Sequence, residues 1–525
     1  MKDYNKYSVH KLLITPIDFF GGPKVKDKLN ALQWLSDKVE ISDLEYIYPL
    51  VFEKNMELGL AAAKIVKEVM GNLTMKQWGN IYDELKYFRV DKDELTLFLR
   101  YPEEISVHLL GIATLNANGY IREKALSMMS GIQTSEAIPY VLLRLGDWVE
   151  RIRKISVHIL RNTLKEENID SYVSNFHLID KLKGILRVDL KDVREEIISY
   201  LKEEAALDKI KANLVHPNVK IRLFCYTILQ NKLVTENDII KLALSDKAFE
   251  IRLWLIGAIE EIDYNRQIEV IKRLLHDKAA KVKVAALRRF EKIIVCDFRE
   301  ELFEMLCDEH TSVREGARYI VRRYSMLEDF PVFYREQIST QASPGAILGL
   351  GETGKQIDYT LISKFTSSEN MKIKCATITA MWYLSKDASV KALVRCLDSE
   401  IPRVRKTAKR LLRSEKSYFV FLRMKEKLGQ DNPEMKLYAL EIIYRYGGWQ
   451  ALDSIMMVIC QEDGIVLTHA VKMLERWLCK SARIFTKPDS ETLTSLENNI
   501  QKAREKQCLS CETLKILEFI IATRR

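Results

Sequence analysis

Asp308-Glu309-His310-Thr311-Ser312-Val313-Arg314-Glu315-Gly316-Ala317 is the stretch that decides the fold. It holds an acidic residue, then a β-branched aliphatic directly before a basic residue, then a small residue. Its weight comes from recurrence. The aliphatic–basic pair returns at Ile121-Arg122, Ile152-Arg153, Val193-Arg194, Ile221-Arg222, Ile251-Arg252, Val282-Lys283, Ile373-Lys374 and Val404-Arg405, and less cleanly at Met435-Lys436. The steps between basic residues are 31, 41, 28, 30, 31, 31, 60, 31 and 31. The 60 is two periods with a degenerate copy between them, and the 41 requires an insertion near 165–188. A fixed period of this length marks a repeat architecture.

Counting from each basic residue gives the local structure. Position −1 is aliphatic or Met. Position +3 is usually small: Ala125, Ser156, Cys225, Ala286, Ala317, Thr377, Ala408, Ala439. Position +7 is apolar: Met129, Leu160, Leu201, Leu229, Ile259, Phe290, Val321, Met381, Leu412, Ile443. Steps of about one turn place these three on one face of a helix. The small middle residue lets a neighbouring helix come close. Six residues before the basic residue, Asp147, Asp246, Asp277 and Asp308 stand where a carboxylate can accept backbone N–H groups at a helix start. Earlier still lies a second apolar run, such as Ile138–Leu145, Ile268–Leu275, Leu302–Leu306 or Val390–Leu397. Each period is therefore predicted as helix A, a short turn and helix B. One such pair cannot hide its apolar faces, but stacked pairs can.

Asp308, the Val313-Arg314 pair and Ala317 resemble the HEAT-repeat family, in the short form of about 30 residues found in many bacterial HEAT-like proteins. The resemblance covers roughly 105–480. It implies an all-α, right-handed α-solenoid of stacked antiparallel helix pairs, with B helices along the concave side, and no particular activity. Leu255 and Ile197 depart from the small-residue position. The expected organisation is an N-terminal helical region over 1–104 containing a degenerate repeat at 44–70, the array over 105–480, and capping helices over 481–525. Capping-box spacings at Ser42/Glu45 and Thr74/Gln77 predict two helix starts in the first region. Asp489–Glu505 and Cys511–Thr523 read as two amphipathic helices.

Composition agrees with helices throughout. Gly is 20 and Pro 11 of 525 residues, well below the roughly 7% and 5% of ordinary proteins. Apolar residues make up 47%, too many for a disordered chain. Lys and Arg total 82 against 73 Asp and Glu, a net charge of +9. The N-terminus lacks the pattern of a signal peptide, because Pro16 and Asp18 interrupt its short apolar run. No window is apolar enough for a membrane span. The nine cysteines, none before Cys225, suit reduced and mostly buried thiols in a cytoplasmic protein. Cys508 and Cys511 form the only close pair, and no second pair completes a zinc site. No cofactor is expected.

Other motifs have bland readings. Gly349-Leu350-Gly351-Glu352-Thr353-Gly354-Lys355 spells a phosphate-loop pattern, but no strand precedes it and Glu352 would repel phosphate. It reads as a turn where helix B ends, with glycines supplying left-handed conformations. The histidines, His108, His158, His216, His276 and His310 among them, show no metal-binding spacing and read as turn or surface residues. Asp147-Trp148 is worth weighing because HEAT-like DNA glycosylases pair aromatic and acidic residues. Asp147 stands at the repeat's own turn position, however. Trp254 and Trp382 read as core.

The basic anchors recur with the repeat and read as structural. The remaining basic residues cluster unevenly. Arg403, Lys406, Lys409, Arg410 and Arg413 crowd one B helix, and Arg288, Arg289, Arg318, Arg322 and Arg323 load two others. Offset +8 carries Arg161, Arg322 and Arg413 but Glu260 and Glu291, so the stripe is broken by acids. These ten residues are the candidate partner-binding set. The leading reading is a non-enzymatic scaffold that binds a protein partner, one with an acidic segment, on its concave surface. The alternative is a nucleic-acid-binding or DNA-repair protein. A HEAT-like phycobilin lyase ranks last.

Overall fold

The computed structural model describes residues 5–17, 23–132, 134–289, 298–413 and 415–524. Phe290 and Glu291 of the repeat pattern lie outside the described residues. The chain forms two compact units, Met1–Val270 and Ile271–Arg525. The described residues of each are helices joined by turns, with no strand among them.

Within the first unit, antiparallel pairs follow the predicted order: Glu103–Thr114 with Gly119–Met129, Ile138–Arg144 with Glu150–Thr163, Glu204–Ala212 with Val219–Ile228, and Asn237–Ser245 with Phe249–Ala258. Within the second unit the order continues with Arg299–Leu306 and Thr311–Arg323, Lys386–Cys396 and Pro402–Leu412, Tyr418–Leu428 and Pro433–Tyr446, and Gly448–Gln461 and Gly464–Leu478. The register holds at every described position. All eight small residues at +3 are fully buried, and so are Ile197 and Leu255. The nine described residues at +7 are buried. At −1 only Val193 and Ile373 are half-buried rather than buried. The fold is an α-solenoid of stacked helix pairs.

The degenerate copy is the pair Phe330–Thr340 and Pro344–Thr353. Its anchor place falls at Gly345, where a Cβ would sit 1.7 Å from the Cys307 carbonyl oxygen, so no basic side chain can stand there. Gly349 and Gly351 correct the turn reading. Both lie buried inside the helix, not at its end, and neither has positive φ. A Cβ on Gly349 would meet the Tyr334 ring at 2.3 Å, and one on Gly351 would meet Ala380 Cα at 2.6 Å. Close helix approach, not turn conformation, is what requires glycine here.

Other expectations are corrected too. Thr74 and Gln77 form the predicted capping box. Ser42 does not start a helix; Glu40 and Asp43 make that box two residues earlier, with Glu40 N–H donating to Asp43 Oδ2 at 2.8 Å. Of the eight described cysteines only Cys225 and Cys460 are buried. Trp382 is core, whereas Trp254 is half-buried and packs on Tyr226. Ser490–Glu505 and Cys511–Ala522 are the two C-terminal helices, capped by Asp489 and Ser510.

Candidate binding surface

The basic anchors build a ladder along the turns. Arg122 donates from Nη1 to the carbonyls of Asn116 and Ala117, both at 2.9 Å, six and five residues behind it. Its Nε and Nη2 reach forward to both oxygens of Asp147, again at 2.9 Å. Arg222 repeats the arrangement with the His216 and Pro217 carbonyls and with Asp246. Arg153, Arg252, Arg314 and Arg405 likewise donate to the carbonyl six residues back. Lys283 reaches Asp308 and Lys436 reaches Glu462. Each turn Asp also closes its own turn: Asp147, Asp246, Asp277 and Asp308 accept the N–H two residues on. The anchor thus satisfies carbonyls that the turn leaves open and ties one pair to the next.

Where the repeat pattern lapses, the chemistry is replaced. After Arg314 the expected turn carboxylate is missing, with Ser339 in its place, and Glu352 supplies one from the adjacent helix to Arg314 and Arg318.

The candidate basic residues divide into two sets. Arg318 is buried and bound by Tyr334 Oη and Glu352, so it is packing and not surface, a correction. Arg288 is exposed and Arg289 half-buried. Arg322 is exposed over the Phe330 ring, and Arg323 donates to Tyr319 Oη at 3.0 Å. On the helix Pro402–Leu412, Lys409 pairs with Glu434 at 2.8 Å and lies over the Tyr438 ring, and Arg413, just beyond the helix, pairs with Glu441. Arg403, Lys406 and Arg410 are exposed and have no ionic partner among the described residues.

These three cations wall a groove of about 790 Å³ floored by Tyr438 and edged by Glu441. Arg403 and Arg410 also line a second hollow of about 260 Å³ shared with Lys372, Tyr383 and Glu309. The two hollows lie along successive B helices. Sequence spacing placed the arginines together; Tyr438, Tyr383 and Lys372 escaped it because each comes from a neighbouring repeat.

The remaining motifs are accounted for by packing. Asp147 is buried, and burial opposes its ionisation. Arg122, the Val149 N–H and Arg144 outweigh that and hold its carboxyl below the usual range. Both its oxygens are taken. Trp148 beside it is exposed. His108 is not a surface residue: it is buried, with Nδ1 3.0 Å from Tyr140 Oη, and burial lowers its pKa to about 4. His216 closes a turn by accepting the Asn218 N–H. Among the described residues no group of three or more His, Cys, Asp or Glu is placed to hold a metal ion. No described helix is long and apolar enough to cross a membrane.

No family model matches the chain, and no curated protein does. Solved structures do. A structure of Kap95p with RanGDP is 12% identical with a TM-score of 0.32, over 99% of this chain and 67% of that one. The karyopherin Kap121p bound to the extreme C-terminus of the protein phosphatase Cdc14p is 12% identical with a TM-score of 0.37, over 90% and 57%. An engineered protein is 14% identical with a TM-score of 0.22, over 78% and 99%. The chain spans 57% to 67% of the length of the first two structures' chains. Likeness at these TM-scores carries no conclusion, and the fold rests on the register and the ladder.

Proposed function

We propose that this chain is a non-enzymatic binding scaffold, and that the groove along Pro402–Leu412 takes an acidic segment of a protein partner. Three cations without an ionic partner among the described residues, Arg403, Lys406 and Arg410, on one helix side carry the reading. Like charges one turn apart cost a helix a few tenths of a kcal/mol per pair, and an anionic partner offsets that cost. Tyr383, which is exposed, adds ring surface for apolar side chains between the acids. Glu441 and Glu309 edge the same hollows. Their ion pairs with Arg413 and Lys372 break the positive surface into spaced sites, which suits a peptide with spaced acids better than a continuous phosphate backbone. In this reading residues 1–104 and 481–525 close the ends of the array.

The test is fluorescence anisotropy with a labelled peptide alternating Glu or Asp with Phe and Leu, beside a single-stranded oligonucleotide of equal charge. Arg403, Lys406 and Arg410 are changed together to Glu. Lys409 and Arg413 stay, because Glu434 and Glu441 already hold them. The peptide should bind the wild type and lose binding in the triple variant at unchanged melting temperature. Tighter oligonucleotide binding with a steep salt dependence would instead support the nucleic-acid reading.

A further inference from the structure

Two departures from the repeat converge on one turn of the first unit. The helix Met75–Leu85 belongs to no helix pair of the register. It meets the array at two points, with Trp78 packed edge-on against Tyr140 and the Gly79 carbonyl accepting from Lys181 Nζ at 3.2 Å. The other departure is the long step of 41 residues. Within it, residues 182–190 fold back on the turn at 144–148. A Cβ on Gly146 would lie 2.5 Å from Ile185 Cδ1, and Arg187 Nε donates to the Gly146 carbonyl at 2.6 Å. A regular array would leave this turn open. Here the two additions close over it and leave a cavity of about 330 Å³.

The cavity has a consistent chemistry. Its walls are apolar at Leu142, Leu178, Leu182 and Ile185. Two rings flank it: Tyr82, with the Arg144 guanidinium 5.3 Å from its centre, and Trp148, exposed, with Arg187 4.6 Å from its centre. Three cations line it, Arg144, Lys181 and Arg187, beyond Arg122, which neutralises Asp147. Arg144 is buried, gives one nitrogen to Asp147 at 2.9 Å, and its Nε has no partner among the described residues. Buried guanidinium nitrogens are normally satisfied. Concave, apolar pockets with a few convergent polar groups are the usual form of small-molecule sites.

We propose that this cavity binds a small ring-bearing anion, a carboxylate or a phosphate monoester, whose ring lies between Tyr82 and Trp148 and whose charge meets Lys181 and Arg187. The ring displaces water from the leucine walls, and the anion answers the excess positive charge.

The experiment uses the full chain and follows thermal unfolding and heats of binding. The probes are indole-3-acetate and adenosine 5′-monophosphate, their uncharged counterparts indole-3-acetamide and adenosine, and bare acetate and inorganic phosphate. At least one ring-bearing anion should bind, and its uncharged counterpart and the bare anion should bind roughly tenfold more weakly or worse. Which of the two anions binds shows which pairing of ring and anion the cavity takes. Trp148→Ala and the double variant Lys181→Gln with Arg187→Gln should each weaken binding by roughly tenfold. Trp148 is exposed, so Trp148→Ala should melt like the wild type; Lys181 and Arg187 are exposed too but each bonds a backbone carbonyl, so the double variant is required to keep the wild-type circular dichroism spectrum at the assay temperature. The Arg403, Lys406, Arg410 triple variant should bind as before. Failure of both ring-bearing anions to bind at about 1 mM, or equal binding by the Trp148 and Lys181/Arg187 variants, would overturn the proposal.

Discussion

At His108 a titratable ring is only 4% exposed and shares a hydrogen bond with Tyr140. Burial lowers its pKa from 6.5 to about 4. Between those values the unfolded chain holds a proton that the folded chain does not, so stability rises with pH across that window. It is fully present above 6.5 and is lost as pH falls toward 4. The shift corresponds to about 3 kcal/mol. Asn offers Tyr140 a partner in the place of Nδ1 and does not titrate. His108→Asn should therefore flatten the urea-unfolding stability between pH 6.5 and 4 while leaving the dependence below 4. An unchanged slope would mean that the ring is protonated in the fold. The sequence reading placed His108 at the surface because a lone histidine carries no burial signal of its own. Its neighbours Val107, Leu109 and Leu110 did carry one, since the helix Glu103–Thr114 is buried all round.

At the level of the helix, small residues decide spacing. Ala317 is fully buried at the centre of Thr311–Arg323. Ala317→Leu should overpack that contact and cost about 1–3 kcal/mol, seen as a lower urea midpoint at unchanged slope. The glycines of Pro344–Thr353 are less forgiving. Gly351→Ala would press a methyl onto Ala380, whose Cα is backbone and cannot rotate away. It should cost at least as much as Ala317→Leu. Gly79 sits mid-helix with nothing within 4 Å of where a Cβ would go. There Ala should stabilise by about 0.4–1 kcal/mol. Opposite signs for the two Gly→Ala changes, read by thermal melting, check that helix contact and not backbone conformation holds Gly351. The repeat register was legible because burial every third or fourth residue is a local pattern. The glycine run misled because its spacing is shared by turns and by close-packed helices, and only the neighbour at Ala380 separates them.

Across the whole molecule ion-paired carboxylates set the acid limit. Asp147, Asp308 and Asp358 are all held below the ordinary value of 3.8. For Asp147 and Asp308 burial works the other way, and arginine, lysine and backbone donors overcome it; for Asp358 the bond from Arg335 leads. A depressed carboxyl pKa contributes stability that is present above 3.8 and is lost as pH falls through the folded value. The chain should lose stability steeply below pH 3.8, and Asp308→Asn should shallow that acid branch while lowering stability at neutral pH. An acid branch of unchanged steepness would show that the carboxylate is not ionised against Lys283. The repeat period, helix pairing and buried faces were readable along the chain, because each depends on residues within one or two turns of each other. The charge partners were not. Arg122 meets Asp147, Arg314 meets Glu352, and Lys409 meets Glu434, each across 25 or more residues. Spacing along one helix told which arginines share a side, but stacking of the next repeat chose which of them are neutralised and which remain to face a partner. The cavity over Asp147 arose the same way, from two irregular segments about a hundred residues apart whose meeting no local pattern encodes.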